Sequence, residues 1–184
     1  MKFWFKTVAL IVAVWLIAAL VIHFANQSRP TVASVTAYAR SVDLNALTGS
    51  ERARAIARME NMVNRVTFEE RQQLDRDRVG RDFFLKLTRE EQDAYLDATL
   101  PTGFQQLMDS FNKMDPIRRK QIVSEAVARM KEHEGQGPPP GADSNLAQHV
   151  IDQGLKSFYR DANADVKLDL APLIEQMQRN LEHQ

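Results

Sequence analysis

The sequence predicts an all-α fold: an N-terminal single transmembrane helix, then a multi-helix bundle of short capped helices, then a C-terminal helical pair. Thr7–Ala25, TVALIVAVWLIAALVIHFA, has no charged side chain between Val8 and Ile22. Three later stretches share an apolar residue, a threonine and, three residues after it, a glutamate. Beyond them, apolar residues recur every three or four positions, and the alternation of a half-buried strand is never sustained.

The first segment, residues 1–25, has the length of a membrane span. Nineteen residues at ~1.5 Å each approach the ~30 Å hydrocarbon core. A helix is required there, because lipid offers no partner to unpaired backbone groups. Trp4 and Phe5 stand at an interfacial belt, Trp15 lies within the span, and Lys6 can reach the headgroups. Lys2 and Lys6 precede the span and Arg29 follows at a distance, which puts the N-terminus in the cytoplasm and the rest outside it. A cleaved signal peptide is the rival reading. The apolar core is longer than the usual h-region, and His23 stands where a small residue is wanted. A buried soluble helix is the third reading.

Residues 26–42, NQSRPTVASVTAYARSV, form the expected tether, with Pro30 interrupting the helix and a short helical start near Ala37. The bundle is expected at 43–133. Its helix starts are Leu47-Thr48 with Glu51, Val66-Thr67 with Glu70, and Leu87-Thr88 with Glu91. In this capping box the threonine hydroxyl accepts from the backbone N–H three residues on, and the glutamate reaches back to the threonine N–H. Asp115-Pro116 is a fourth start, with Asp as N-cap and Pro in the first helical position. Ala53, Ile56 and Val63 give one apolar face; Leu74 and Val79 continue after Phe68, with Gly80 as an end or kink. Pro101 closes the helix carrying Tyr95 and Leu96, and Thr102-Gly103 opens another carrying Phe104, Leu107, Met108 and Phe111. Ile122, Val123, Ala126 and Val127 mark the last helix of the group. Starts nineteen, twenty-one and twenty-seven residues apart suit consecutive short helices better than a repeat array.

Residues 134–142, EGQGPPPGA, cannot be helix and form a linker. Residues 143–184 form the C-terminal helical segment. Leu146, Val150, Leu155 and Phe158 lie along one stripe, and Gly154 within it suggests a close approach by another helix. Asn163 to Asp165 is a turn, Asp169 caps the final helix, and Pro172 sits in its first turn. A pair of about forty residues is near the lower limit for independent folding, so it is expected to dock on the bundle.

Charge and composition narrow the function. Lys2 and Lys6 are two of the 24 basic side chains, leaving 22 against 24 acidic ones after the anchor. That balance argues against nucleic acid as a partner. With no cysteine, disulfides, thiolate metal sites and cysteine nucleophiles are absent. Eight arginines and no lysine lie between Arg52 and Arg81, nearly cancelled by seven acidic residues from Glu51 to Asp82. This is a solvated, ion-paired helical face or an arginine-based partner surface. His133, His149 and His183 lack metal-ligand spacing. Asp161, Asn163 and Asp165 begin like a calcium loop, but Val166 stands at its sixth position and Pro172 at its twelfth. No metal, cofactor or catalytic residue is expected.

Leu87-Thr88-Arg89-Glu90-Glu91-Gln92 resembles the L-T-x-x-Q type helix start of small periplasmic helical chaperones and stress proteins. The long anchor departs from that pattern. The expected function is a membrane-anchored protein for protein binding, scaffolding or envelope assembly, without a catalytic site. Its partners are the lipid bilayer through 7–25 and an unidentified protein or a second copy, and its partner surface is at Phe83, Phe84, Phe104 and Phe111. A chaperone-like binder of envelope or unfolded proteins is the alternative, and an enzyme with a dispersed carboxylate site the third.

Overall fold

A computed structural model describes residues 29–132 and 144–182. The anchor expected at 7–25, with Thr7, Trp15 and Ala25, and the linker at 134–142 lie outside the described residues. Every regular element among the described residues is helical. The order is α1 (Val32–Ser41), a 3₁₀ turn (Leu44–Ala46), α2 (Gly49–Arg65), α3 (Phe68–Arg76), α4 (Val79–Phe84), α5 (Arg89–Lys113), α6 (Pro116–Glu132), α7 (Ser144–Asp161) and α8 (Ala164–Glu182). None of these helices is long and apolar enough to cross a membrane.

Helix α5 ties two apolar cores together. Its 25 residues reach roughly 38 Å at the helical rise. The first core joins Val35, Leu44, Met59, Val66 and Phe83 from the preceding elements to Tyr95 of α5. The second joins Met108 of α5 to Val123 of α6, Phe158 of α7, and Val166 and Leu170 of α8. Helix α7 packs along α5 and α8 along α6. At the α5–α7 contact, a Cβ built on Gly154 would stand 3.2 Å from the Phe104 ring, so glycine permits the close approach. Asn112 of α5 clasps the α7–α8 turn: its Nδ2 donates to the Asp161 carbonyl and its Oδ1 accepts from the Asn163 N–H, both at 2.9 Å.

The helix starts show which capping signals the chain uses. Thr67 and Thr88 form reciprocal boxes: Glu70 N–H donates to Thr67 Oγ1 at 3.2 Å while Thr67 N–H donates to Glu70 Oε2 at 2.8 Å, and Thr88 and Glu91 repeat this. Asp115 Oδ1 accepts from the N–H groups of Ile117 and Arg118. Thr48 departs from the expected box and makes no side-chain cap bond. Gly49 takes φ +52°, and the Glu51 N–H goes to the Thr48 carbonyl instead. Thr67→Ala or Thr88→Ala should therefore destabilise the protein by about 0.5–2 kcal/mol. Thr48→Ala, which removes no such bond, should leave the denaturation midpoint nearly unchanged.

Four further expectations are corrected. Residues 32–41, read as tether, form α1, which begins with a Thr31–Ser34 capping box and buries Val35 and Ala39 in the first core. The break before α4 falls at Arg78, in the left-handed region at φ 58°, rather than at Gly80. Pro101 does not close a helix, because α5 runs through it. Proline removes the donor that Asp97 C=O would use, at a cost of ~3 kcal/mol, but both halves of α5 are held in separate cores. Asn64 Nδ2 also donates to the Ala98 carbonyl beside the break at 2.8 Å. The last helix starts at Ala164, capped by Asn163 Oδ1 accepting from Val166 N–H at 2.9 Å. Pro172 therefore lies inside α8, and Asp169 pairs with Arg119 instead of capping.

Candidate binding groove

Where the first core meets α7, an apolar groove of about 510 Å³ opens. Helix α2 contributes Met59 and Val63; α3 contributes Phe68, Arg71 and Leu74; α4 contributes Arg81 and Phe84. Helix α5 supplies Tyr95, Leu96 and Thr99, and α7 closes the wall with Leu146 and Val150. Gln72 and Asp75 also line it. The capping boxes fix where these helices begin: Thr67 starts α3 one residue before Phe68, and Thr88 starts α5, on which Tyr95 is buried in the first core. Tyr95 stacks at a tilt on Phe83 and Phe84, with ring centroids 6.0 and 6.2 Å apart. Burial pushes its hydroxyl up to about 12, opposed by the nearby Arg71 cation.

Of the four phenylalanines expected to form a partner surface, Phe84 lines the groove. Phe83 is 1% exposed and belongs to the first core. Phe104 lies against Gly154, and Phe111 packs on the second core. They do not make one surface. No family model, curated protein or solved structure matches this chain.

Three arginines are wholly or partly withdrawn from solvent, and each donates to at least one backbone carbonyl. Arg119 donates to the carbonyls of Phe111 and Met114 at the end of α5 and, through Nε and Nη2, to Asp169. Arg52 donates to the carbonyls of Leu44 and Lys86, and its Nε and Nη2 grip Glu91 at 2.6 and 2.7 Å. Arg71 donates through Nη2 to the Val63 carbonyl at 2.8 Å and to Asn64 Oδ1 at 3.4 Å. Its Nε goes to Gln106 Oε1 at 3.1 Å, where the other two arginines have a carboxylate. Burial lowers the Arg71 pKa. The sequence missed this residue because Asp75, one helical turn on, gives it an apparent ion-pair partner that the structure does not use.

Hydrogen bonds from Arg52, helped by the Thr88 backbone N–H, hold the Glu91 carboxyl down to about 2. A depressed carboxylate stabilises the fold fully above its unfolded value, and this contribution is lost as pH falls through the folded value. Glu91→Gln preserves the reach back to Thr88 and should cost about 1–3 kcal/mol at pH 7. The gap from wild type should narrow between pH 4.5 and about 2, read from denaturation midpoints along a pH series.

On α7, one turn after Leu146 and next to Val150, His149 Nε2 lies 3.0 Å from Asp97 Oδ1 of α5, without the alignment of a hydrogen bond. Among the described residues no group of three or more His, Asp or Glu side chains is placed to hold a metal ion.

Proposed function

We propose that the protein is a single-pass, membrane-anchored binding protein whose helical region receives a segment of a partner protein. In this reading residues 7–25 cross the bilayer with the N-terminus in the cytoplasm, and the groove is displayed outside it. The anchor rests on the uncharged run and on Lys2 and Lys6 before it. The observation that carries the binding role is the groove itself. Its apolar floor is built by five helices and bordered by Gln72, Asp75 and Arg81, the pattern that accepts an apolar stripe with polar flanks. Protein binding without catalysis accounts for this pattern more simply than a dispersed carboxylate site.

A photoreactive amino acid at position 96, on the groove floor, tests this in the full chain in its own membranes. A discrete adduct is expected there and none from position 121, on the exposed face of α6. No adduct from position 96, or equal yields from both positions, would overturn the binding role. Loss of the protein from carbonate-washed membranes would overturn the anchor. A ladder of many adducts, with suppressed aggregation of an unfolded client, would favour the chaperone-like alternative, which the apolar groove and the Leu87–Gln92 resemblance support.

A further inference from the structure

We infer that the segment bound in the groove carries one carboxylate within its apolar face and that this carboxylate pairs with Arg71. The inference rests on the reading of the groove as a polypeptide site and names the chemistry of its occupant. The three withdrawn arginines supply the argument. Arg52 presents its Nε–Nη2 edge to both oxygens of Glu91, the bidentate geometry in which guanidinium binds most strongly, and Arg119 turns the same edge to Asp169 Oδ2. Arg71 satisfies that edge with neutral oxygens only. No carboxylate among the described residues pairs with it, and Nη1 makes no hydrogen bond yet is not sealed from solvent.

A positive charge is thus held at the wall of an apolar groove without an internal counter-charge, and burial disfavours it. An incoming carboxylate would meet a cation already fixed by three acceptors, so little ordering cost remains. Arg81 adds a second positive charge and Asp75 a single negative one, so the lining as a whole, with Arg71 counted, is net cationic. An amphipathic helix with one acidic residue in its stripe matches this distribution. The mixed border of Gln72, Asp75 and Arg81 suits the polar flanks of such a helix better than a plain acyl chain, which has none.

The test uses the full chain in nanodiscs and a fluorescent amphipathic peptide of about sixteen residues, long enough to form a helix. Its leucine stripe carries one glutamate, and a twin carries glutamine there. The glutamate peptide should bind about tenfold tighter or more, the scale of one charge-assisted hydrogen bond. Arg71→Gln should bring it to the level of its twin, and Arg76→Gln, exposed on α3 and outside the groove lining, should preserve the preference. Because Arg71→Gln also removes the hydrogen bond to the Val63 carbonyl, the peptide pair on the unaltered protein is the deciding comparison. Equal binding of the two peptides would overturn the inference and leave the groove as a polypeptide site. Binding of neither would overturn both, and binding of oleate alone would replace the peptide with an acyl carboxylate.

Discussion

Asp169→Ala should destabilise the protein by about 3–5 kcal/mol, the cost of leaving a buried charge without its partner. Arg119 is 4% exposed and Asp169 10%. The Arg119 Nε and Nη2 groups lie 2.7 and 2.6 Å from Asp169 Oδ2. Once the carboxylate is gone, the guanidinium cannot turn to water without releasing the carbonyls of Phe111 and Met114. Those carbonyls end α5, so the damage should reach the α5–α6 turn. Lys120, 3.8 Å from Asp169 and mostly exposed, should add little. Replacing Arg119 with Met in the Asp169→Leu background should recover part of the loss, since two apolar side chains remove the stranded charge. A double-mutant cycle by urea denaturation measures the coupling, and an Asp169→Ala midpoint close to wild type would show that the pair is not what fastens α8 to α6.

Local chemistry explains which parts of this fold were legible in the sequence. Thr67, Thr88 and Asp115 act through neighbours three residues away or fewer, so their helix starts could be read directly. Thr48 has the same local signature, but Gly49 diverts the backbone. Pro101 and Pro172 are the opposite case. Their local signal opposes a helix interior, yet both lie within helices. At Pro101, cores distant in sequence hold α5 on each side. The helix at 32–41 was hidden because Ser34 replaces glutamate in its box and its buried residues are the small Val35 and Ala39.

The groove was less legible than the helices. Its walls come from five helices, and the α7 wall lies beyond a proline-rich stretch, so no sequence window contains it. Composition marked arginine between 52 and 81 as worth attention, but it treated the eight as one charged face. Arg52 and Arg71 differ only in tertiary partners, Glu91 for one and Gln106 for the other, and nothing within a helical turn of either reports that difference.

Phe83→Ala should cost about 3–5 kcal/mol, the range for truncating a large buried aromatic, and Phe84→Ala distinctly less. The two are adjacent in sequence and both touch Tyr95, but α4 turns them to different environments. Phe83 is 1% exposed within the first core, so its removal leaves a cavity beside Tyr95. Phe84 is half-buried at the groove wall, where water or a neighbouring side chain can occupy the space. Stability and binding should therefore separate. Phe83→Ala should lower the denaturation midpoint strongly, whereas Phe84→Ala should stay folded and weaken the glutamate peptide and its glutamine twin by similar factors, because it removes apolar contact without touching Arg71. Equal midpoints for the two variants would mean that Phe83 is no better packed than Phe84. A Phe84→Ala protein that bound both peptides as tightly as wild type would place the contact surface elsewhere, with Leu168, 75% exposed on α8, the next position to vary.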